Sequence, residues 1–264
     1  MKAIMERKTA LVTGASSGIG VEFARQLAAQ GYDLCIVARR ADRLQELKER
    51  IESSSEATVH VMQTDLSSPE AIQSLATRLR DQGLNIDCLV NNAGFGRQFY
   101  LQELSAAEWE KMIQVNCSAL VALTRELLPG MIERKRGEIL NVASVASFQA
   151  VATMTVYAAS KAFVLSFSEG LRHEVKQHGI NVSCLCPGAT YSEFAQVAQT
   201  KHREAPSFAW MTPERVAQIG IRGMQKNRPV VVPGLLNKAL IYGQSLFPRW
   251  LVNAITATMF RPVK

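Results

Sequence analysis

Short, continuously apolar runs alternate along the chain with longer segments in which apolar residues recur every three to four positions. The first pattern is typical of buried strands and the second of amphipathic helices. Six strands are predicted over residues 8–13, 33–38, 58–63, 86–90, 138–142 and 180–186, and a last short strand over 229–232. The predicted helices include residues 42–51, 106–134, 156–177 and 213–226, and Pro129 is a candidate position for a bend in the second of these.

Strands that are apolar throughout and separated by helices are typical of a parallel sheet that helices cover on both faces. With right-handed crossovers, such a sheet is doubly wound and of the Rossmann type. We therefore expect the α/β class, as a three-layer α/β/α sandwich around a mostly parallel sheet. No repeat, low-complexity segment or linker divides the sequence, which predicts a single domain over residues 1–264. Residues 189–212 form the expected substrate lid, and residues 235–264 form an apolar, basic tail.

The composition agrees with one large domain, because 47% of the 264 residues are hydrophobic and 20% are charged. No apolar stretch is long enough to span a bilayer and none follows the N-terminal lysine, so we expect neither a spanning helix nor a signal peptide. The four histidines show no metal-ligand spacing, and we expect no metal. The cysteines lie mostly in apolar runs without a C-x-x-C pair, which favours buried thiols in a reducing, cytoplasmic compartment: Cys35, Cys88, Cys117, Cys184 and Cys186.

The net charge of +7 is concentrated at the C-terminal end of the chain. Residues 201–264 contain ten Lys and Arg against two Asp and Glu, whereas the other 200 residues contain twenty against twenty-one. The tail combines this charge with many apolar residues. One interpretation is a terminal helix that packs on its own or a partner subunit, and the other is a basic amphipathic segment on an anionic membrane surface. Nucleic-acid binding is not expected, because no binding motif accompanies the charge.

A glycine-rich segment, TGASSGIG from Thr13 to Gly20, lies between the first predicted strand and the first predicted helix. Glycines let a backbone turn tightly and approach a pyrophosphate, which the free N–H groups at the helix N-terminus can bind. The alternative is an ordinary glycine turn. The strand–turn–helix context favours phosphate binding.

Tyr157 and Lys161 are four residues apart on a predicted helix and therefore lie on the same face. A free tyrosine has a pKa near ~10, and a fixed cation beside it would lower that pKa. The pair could then serve as a general acid and base at physiological pH. By itself, this spacing is more typical of a solvated helix face.

Further motifs occur in an order that resembles the short-chain dehydrogenase/reductase family. The glycine segment has the spacing T-G-x-x-x-G-x-G, and Tyr157 follows Ser144 by thirteen residues. The other matching positions lie at the ends of predicted strands or within the long helix: Asp65, Asn91-Asn92-Ala93-Gly94, Asn116 and Pro187-Gly188. The resemblance extends over about residues 8 to 232 and implies an oxidoreductase with a nicotinamide cofactor.

The resemblance also implies roles for individual residues. Tyr157 would exchange a proton with the carbonyl or alcohol oxygen, and Ser144 would hydrogen-bond the same oxygen. Lys161 would lower the Tyr157 pKa and hold the ribose hydroxyls, and Asn116 would position a water in a proton relay. The implied cofactor contacts are Gly14, Ser16, Ser17, Gly18, Ile19, Gly20, Arg39, Arg40, Asp65, Leu66, Asn92, Ala93, Gly94, Tyr157, Lys161, Pro187 and Gly188, with Thr190 or Ser192 near the carboxamide.

The end of the second strand bears on the choice of cofactor. Members that prefer NAD place a carboxylate there for the ribose 2′-hydroxyl, whereas an arginine favours the 2′-phosphate. This sequence has Ala38 at that position, followed by Arg39 and Arg40. We therefore expect NADP(H), with Arg39 as the principal contact. NAD(H) remains an alternative, because a second position that is basic in some members is Ser17 here.

The predicted activity is an NADP(H)-dependent interconversion of a carbonyl and a secondary alcohol. An apolar substrate is expected, because no arginine is placed for a substrate carboxylate and large apolar residues occur in segments bordering the site. The alternative for each of these residues is packing within the lid: Phe95, Phe99, Phe148, Met154, Phe194, Phe208, Trp210 and Met211. A catalytically silent NADP(H)-sensing or scaffold protein is the alternative function. The resemblance implies a homodimer or homotetramer, formed through helices 106–134 and 156–177.

Overall fold

The computed structural model describes residues 7–198 and 210–259. In this part of the chain, seven parallel strands form one sheet in the order β3-β2-β1-β4-β5-β6-β7. Their bounds are Thr9–Thr13, Asp33–Ala38, Val59–Gln63, Ile86–Asn91, Gly137–Val142, Ile180–Leu185 and Val230–Val231 for β1 to β7. The strand order reverses between β1 and β4, which opens a crevice at their carboxyl ends. The predicted doubly wound α/β fold is confirmed.

The described helices are α1 (Gly18–Ala29), α2 (Ala41–Ser54), α3 (Pro69–Asp81), α4 (Ala106–Ile113), α5 (Ala119–Glu133), α6 (Thr155–Val175), α7 (Phe194–Ala198), α8 (Pro213–Gln225), α9 (Leu235–Gln244) and α10 (Arg249–Met259). Because successive side chains of a strand point to opposite faces, β1 contributes to two apolar cores. Val12 packs with α1, α2 and α8 on one face, and Leu11 packs with α3, α5 and α6 on the other. Both faces are therefore covered, as the apolar strands predicted.

The predicted helix over residues 106–134 is interrupted, but not at Pro129. Helix α5 continues through Pro129, whereas a π-helical turn, Gln114–Ser118, separates α4 from α5. Asn116 lies within this turn and binds the backbone of Phe95, in the loop after β4. The irregularity therefore occurs where the helix approaches the crevice.

The C-terminal tail forms two helices that pack over the segment following β5. Gln244 Nε2 donates to Phe148 O at 3.4 Å, and Thr256 Oγ1 donates to Ala150 O at 3.0 Å. Ile241, within α9, is buried and packs in the core on this side of the sheet. No helix in the described residues is long and apolar enough to cross a bilayer. The predicted contact Phe208, and the end of the tail from Phe260, lie outside the described residues.

Candidate active site

One continuous cavity of about 1240 Å³ lies at the carboxyl ends of the strands and reaches the tail helices. It brings together almost all of the predicted site residues. Asn116 and Gly20 do not line it. The predicted residues along its walls are Gly14, Ser16, Ser17, Gly18, Ile19, Arg39, Arg40, Asp65, Leu66, Asn92, Ala93, Gly94, Ser144, Tyr157, Lys161, Pro187, Gly188, Thr190 and Ser192.

The glycine turn has the geometry of a phosphate cradle. Gly14 and Gly18 have positive φ values of 67° and 57°, which side chains rarely adopt. A Cβ on Gly20 would lie 2.1 Å from Gly14 O, so Gly20 lets the start of α1 pack against the turn. Ser17 precedes α1 without a side-chain cap, and no acidic residue occupies the first turn. The N–H groups and the positive end of the helix dipole are therefore suited to an anion.

Strand β4 closes the floor of this cradle. The Thr13 hydroxyl oxygen accepts hydrogen bonds from the backbone N of Asn92 and of Ala93, both at 3.0 Å. Asn92 Nδ2 donates to Thr13 O at 2.9 Å. A Cβ on Gly14 would meet Asn92 Nδ2 at 2.8 Å. The two strand ends are thus held in direct contact, which leaves space above them for a bound group.

Asp65 borders the same half of the cavity. Burial tends to raise the pKa of its carboxyl, but hydrogen bonds from the backbone and side chain of Ser67 more than offset this and lower the pKa. Both bonds reach the same oxygen, Oδ1, at 3.0 and 2.8 Å. The carboxylate therefore stays charged near neutral pH, with Oδ2 available as an acceptor for a ligand N–H group.

The two arginines after β2 have different surroundings. Arg40 donates to Ser16 Oγ at 3.1 Å and to Glu193 Oε2 at 3.0 Å, and Arg43 binds the other oxygen of Glu193. Arg39 is exposed and lines the cavity, and within residues 7–198 and 210–259 its guanidinium forms no ion pair, unlike those of Arg40 and Arg43. Its positive charge helps to lower the Asp65 pKa. Of these three cations, Arg39 is the one that is free to bind a further anion.

Ser144, Tyr157 and Lys161 meet at the centre of the cavity and are all buried. The Ser144 side chain interacts with the Tyr157 phenol and tends to lower its pKa. Ser144 Oγ also accepts from Ala146 N at 3.1 Å, which fixes its orientation. Lys161 Nζ donates to Val142 O at 2.8 Å and lies 5.9 Å from the centroid of the Tyr157 ring. The spacing of these residues in the sequence therefore corresponds to one compact group.

The Tyr157 pKa is not lowered as predicted. Burial raises it to about 12, and the interaction with Ser144 only partly opposes this. The ring packs against Met154 and Phe194, so the phenolate would lose hydration. Burial also lowers the Lys161 pKa to about 8, and its ammonium is directed at a backbone carbonyl. In this arrangement Tyr157 is a neutral proton donor, and Lys161 is the group poised to titrate near physiological pH.

Asn116 lies behind the group, with its amide fully occupied. Its Nδ2 donates to Phe95 O and to Ser160 Oγ, both at 2.9 Å, and its Oδ1 accepts from Phe95 N at 3.0 Å. A Cβ on Gly94 would lie 3.1 Å from both Asn116 Oδ1 and Lys161 Nζ. The side chain thus ties the loop after β4 to α6 beside Lys161. Its role in a proton relay stays a prediction.

The remaining half of the cavity is mostly apolar, with a few uncharged polar side chains such as Gln149 and Gln244. Of the predicted aromatic and methionine residues, Phe95, Met154, Phe194 and Trp210 line it. Three others do not: Met211 packs on the core beneath α8, Phe148 on the core beneath α9, and the Phe99 backbone binds Thr153. Most of the far wall comes from α9, α10 and the connection between them. The residues are Leu236, Leu240, Phe247, Leu251, Val252 and Ile255.

Thr190 and Ser192 both line the cavity, as predicted. Thr190 Oγ1 donates to Gly188 O at 3.0 Å, and Ser192 Oγ donates to Thr190 O at 3.4 Å. Both hydroxyl oxygens point along the loop after β6 and keep acceptor capacity. The choice between them near a carboxamide stays open.

Comparisons with known proteins agree with this geometry. The sequence pattern of the short chain dehydrogenases matches residues 8–203. The chain belongs to the short-chain dehydrogenase family. This confirms the family membership that the sequence motifs predict.

Several similar proteins align with most of the length of this short-chain dehydrogenase. A short-chain dehydrogenase from Sphingobium yanoikuyae, solved in complex with NADPH, is 32% identical and superposes with a TM-score of 0.82 over 93% of this chain and 95% of its own. An NADP-dependent 3-hydroxy acid dehydrogenase of Escherichia coli is 38% identical over 189 residues, which are 71% of this chain and 75% of its own. A very-long-chain 3-oxoacyl-CoA reductase of Rattus norvegicus is 30% identical over 247 residues, 92% of this chain and 76% of its own.

The tail helices are the part of this short-chain dehydrogenase site that the sequence motifs did not indicate. The spacing of Leu236, Leu240 and Phe247 is compatible with a helical apolar face. That pattern predicts a covered face without showing what covers it. The sequence leaves packing on its own or a partner subunit and membrane contact as alternatives, and the structure adds that part of this face forms a wall of the cavity.

Lys161 is expected to make the stability of this short-chain dehydrogenase increase with pH. Its pKa is about 8 in the folded chain against an ordinary value of 10.5, so the unfolded chain binds the proton more tightly. Between these pH values the free energy of unfolding rises with pH, by up to about 3 kcal/mol. Urea unfolding at about pH 8 and about pH 10 should show a smaller rise for Lys161→Met than for the parent.

Ending the comparison near pH 10 limits an opposite contribution from Tyr157, which holds its proton more tightly when folded. Groups common to both chains cancel in the difference between them. The assignment fails if the parent and Lys161→Met show the same change in unfolding free energy.

Proposed function

We propose that this protein is an NADP(H)-dependent oxidoreductase that interconverts a carbonyl and a secondary alcohol on an apolar substrate. The observation that carries the proposal is that Ser144, Tyr157 and the glycine turn all line one cavity. A proton donor and an oxyanion partner thus share one space with a phosphate cradle. Membership of the family supports oxidoreductase chemistry at this site.

NADP(H) is the favoured cofactor. The glycine turn and the start of α1 would hold the pyrophosphate, Asp65 would accept from the adenine, and Lys161 would hold the ribose beside the nicotinamide. Arg39 would bind the 2′-phosphate, because Arg40 and Arg43 are both bound to Glu193. The NADPH complex of the Sphingobium protein and the name of the Escherichia coli enzyme, an NADP-dependent dehydrogenase, support this preference. When bound, the cofactor supplies or receives the hydride.

The residues of the chain would manage the proton and the developing charge. Tyr157, neutral because burial raises its pKa to about 12, would donate its proton to the carbonyl oxygen during reduction. Ser144 would hydrogen-bond the same oxygen, where negative charge develops. Lys161, with a pKa of about 8, would return a proton towards Tyr157. Asn116 would hold the adjoining loop and helix in place, and its relay water is part of the proposal.

An apolar substrate is supported by where the charges lie. Lys161 is the only charged residue lining the cavity beside the reacting group in the described part of the chain. The other charged lining residues gather at the glycine-turn end: Arg39, Arg40, Asp65, Lys111 and Glu193. The substrate half is walled mostly by aliphatic and aromatic side chains, together with a few uncharged polar ones. The name of the rat relative, a very-long-chain 3-oxoacyl-CoA reductase, is in line with such a wall.

Hydrophobic ketones are expected to be reduced with a kcat/KM at least about tenfold above that of small keto acids, because a carboxylate buried without a cation is disfavoured. A panel of aryl and long-chain ketones, followed by the loss of NADPH absorbance, measures this. 3-Oxo acids of matched chain length are the controls, since the Escherichia coli relative is named for a 3-hydroxy acid. A preference for the acids would contradict the apolar assignment.

A catalytically silent cofactor sensor or scaffold is the second candidate. It requires none of the geometry that joins Ser144 to Tyr157, and that geometry is intact. Cofactor binding without turnover on the complete ketone and alcohol panel would favour this alternative.

A further inference from the structure

The two tail helices expose an unusual amount of apolar surface. Leu235, Leu246 and Trp250 are 84%, 83% and 71% exposed. We call the exposed large apolar residues of α9, α10 and their connection the C-terminal apolar face: Leu235, Leu236, Leu240, Tyr242, Leu246, Phe247, Trp250 and Ile255. Contiguous apolar surface of this kind marks a place where a protein meets a partner or a lipid phase.

The charged residues in the sequence of this segment are all of one sign. Residues 235–264 contain Lys238, Arg249, Arg261 and Lys264, and no aspartate or glutamate. An apolar helical segment whose charged residues are all basic is complementary to an anionic bilayer, which attracts each cation and accepts the apolar side chains. A second copy seated on the same face would bring like charges together. Charge complementarity therefore favours a lipid surface over self-association.

The face also borders the cavity. Leu240, Phe247 and Ile255 are each more than half exposed and also line the cavity wall. The opening on this side therefore lies among the same side chains that would enter the lipid. An apolar molecule dissolved in the bilayer could pass between α9 and α10 towards Tyr157 without crossing water.

We propose that the C-terminal apolar face docks peripherally on an anionic phospholipid bilayer, and that the cavity receives its apolar substrate from the membrane. The docking stands on the exposed residues and their charge alone, while the delivery of substrate rests on the proposed function. Docking and turnover are therefore measured separately.

The docking test is co-sedimentation of the full chain with vesicles of phosphatidylglycerol and phosphatidylcholine, compared with phosphatidylcholine alone. The parent is expected to partition more strongly onto the anionic vesicles and to lose that excess in about 0.5 M salt. The double variant Leu246→Glu, Trp250→Glu should partition at least about tenfold more weakly. Neither residue lines the cavity. The matched control makes the same change at exposed apolar residues outside the tail, Leu101→Glu and Ile113→Glu, and should bind as the parent does.

Light scattering after gel filtration gives the oligomeric state of each chain. Equal vesicle binding by the parent and the tail variant overturns the proposal. The proposal is also overturned if the parent does not bind vesicles and its oligomer dissociates in the tail variant. That result would assign the face to a second copy of the chain.

For delivery, the tail variant should keep parental activity on a water-soluble ketone and lose activity on a vesicle-held ketone. Vesicle binding without any turnover would leave docking supported and count against the proposed function instead.

Discussion

Tyr157→Phe is expected to lower kcat for ketone reduction by about 10²- to 10⁴-fold, which is the usual contribution of a positioned general acid. The substitution removes one hydroxyl and keeps the ring that packs with Met154 and Phe194. Cofactor contacts at the glycine turn and Arg39 are untouched. The Kd for NADPH, measured by fluorescence or calorimetry, should therefore change by no more than about twofold.

Tyr32→Phe is the matched control for this experiment. Tyr32 is also a buried tyrosine, but its hydroxyl donates to Glu138 at 2.9 Å and does not line the cavity. Its loss can lower stability and should leave kcat near the parental value. Ser144→Ala should lie between the two, since it removes a hydrogen bond to the reacting oxygen and keeps the phenol. A Tyr157→Phe variant with at least half of the parental kcat would remove Tyr157 from the reaction.

The grouping of the motif residues could be predicted from the sequence, whereas the direction of the Tyr157 pKa shift could not. The motif residues come together because they follow the carboxyl ends of parallel strands, which meet at one edge of the sheet. The resemblance to the family, in which Ser144 precedes Tyr157 by thirteen residues, thus sufficed to group the two. The direction of the Tyr157 pKa shift was predicted wrongly, because desolvation depends on side chains such as Phe194 that come from a distant segment.

The same limit applies to contacts between distant charges. Glu193 lies 153 residues after Arg40 in the sequence, and no pattern indicates that the lid supplies a carboxylate to the arginines after β2. The C-terminal tail shows the same limit, because its helical apolar pattern does not indicate that α9 and α10 form a cavity wall. Local periodicity predicts an element and its buried face, whereas the identity of the covering surface follows from tertiary packing.

Arg39→Asp is expected to reduce kcat/KM for NADPH by about 100-fold or more, because it replaces a charge-assisted contact to the 2′-phosphate with a repulsive carboxylate. For NADH, which lacks that phosphate, kcat/KM should change by no more than a few-fold or rise, because the new carboxylate can accept from the 2′-hydroxyl. Steady-state kinetics with both cofactors measures the ratio. Calorimetric titration with 2′,5′-ADP reports the same contact without turnover.

Arg43→Asp separates the phosphate contact from the general loss of positive charge. It makes the same change of charge on the first turn of α2, but Arg43 does not line the cavity and its guanidinium is bound to Glu193. If the 2′-phosphate is read by Arg39, Arg43→Asp should weaken 2′,5′-ADP binding far less than Arg39→Asp does. Equal losses for NADPH and NADH in Arg39→Asp would reject Arg39 as the determinant. If Arg43→Asp weakens 2′,5′-ADP binding more than Arg39→Asp does, the phosphate contact would belong to the arginines bound to Glu193. The phosphate would then have to displace the Glu193 carboxylate.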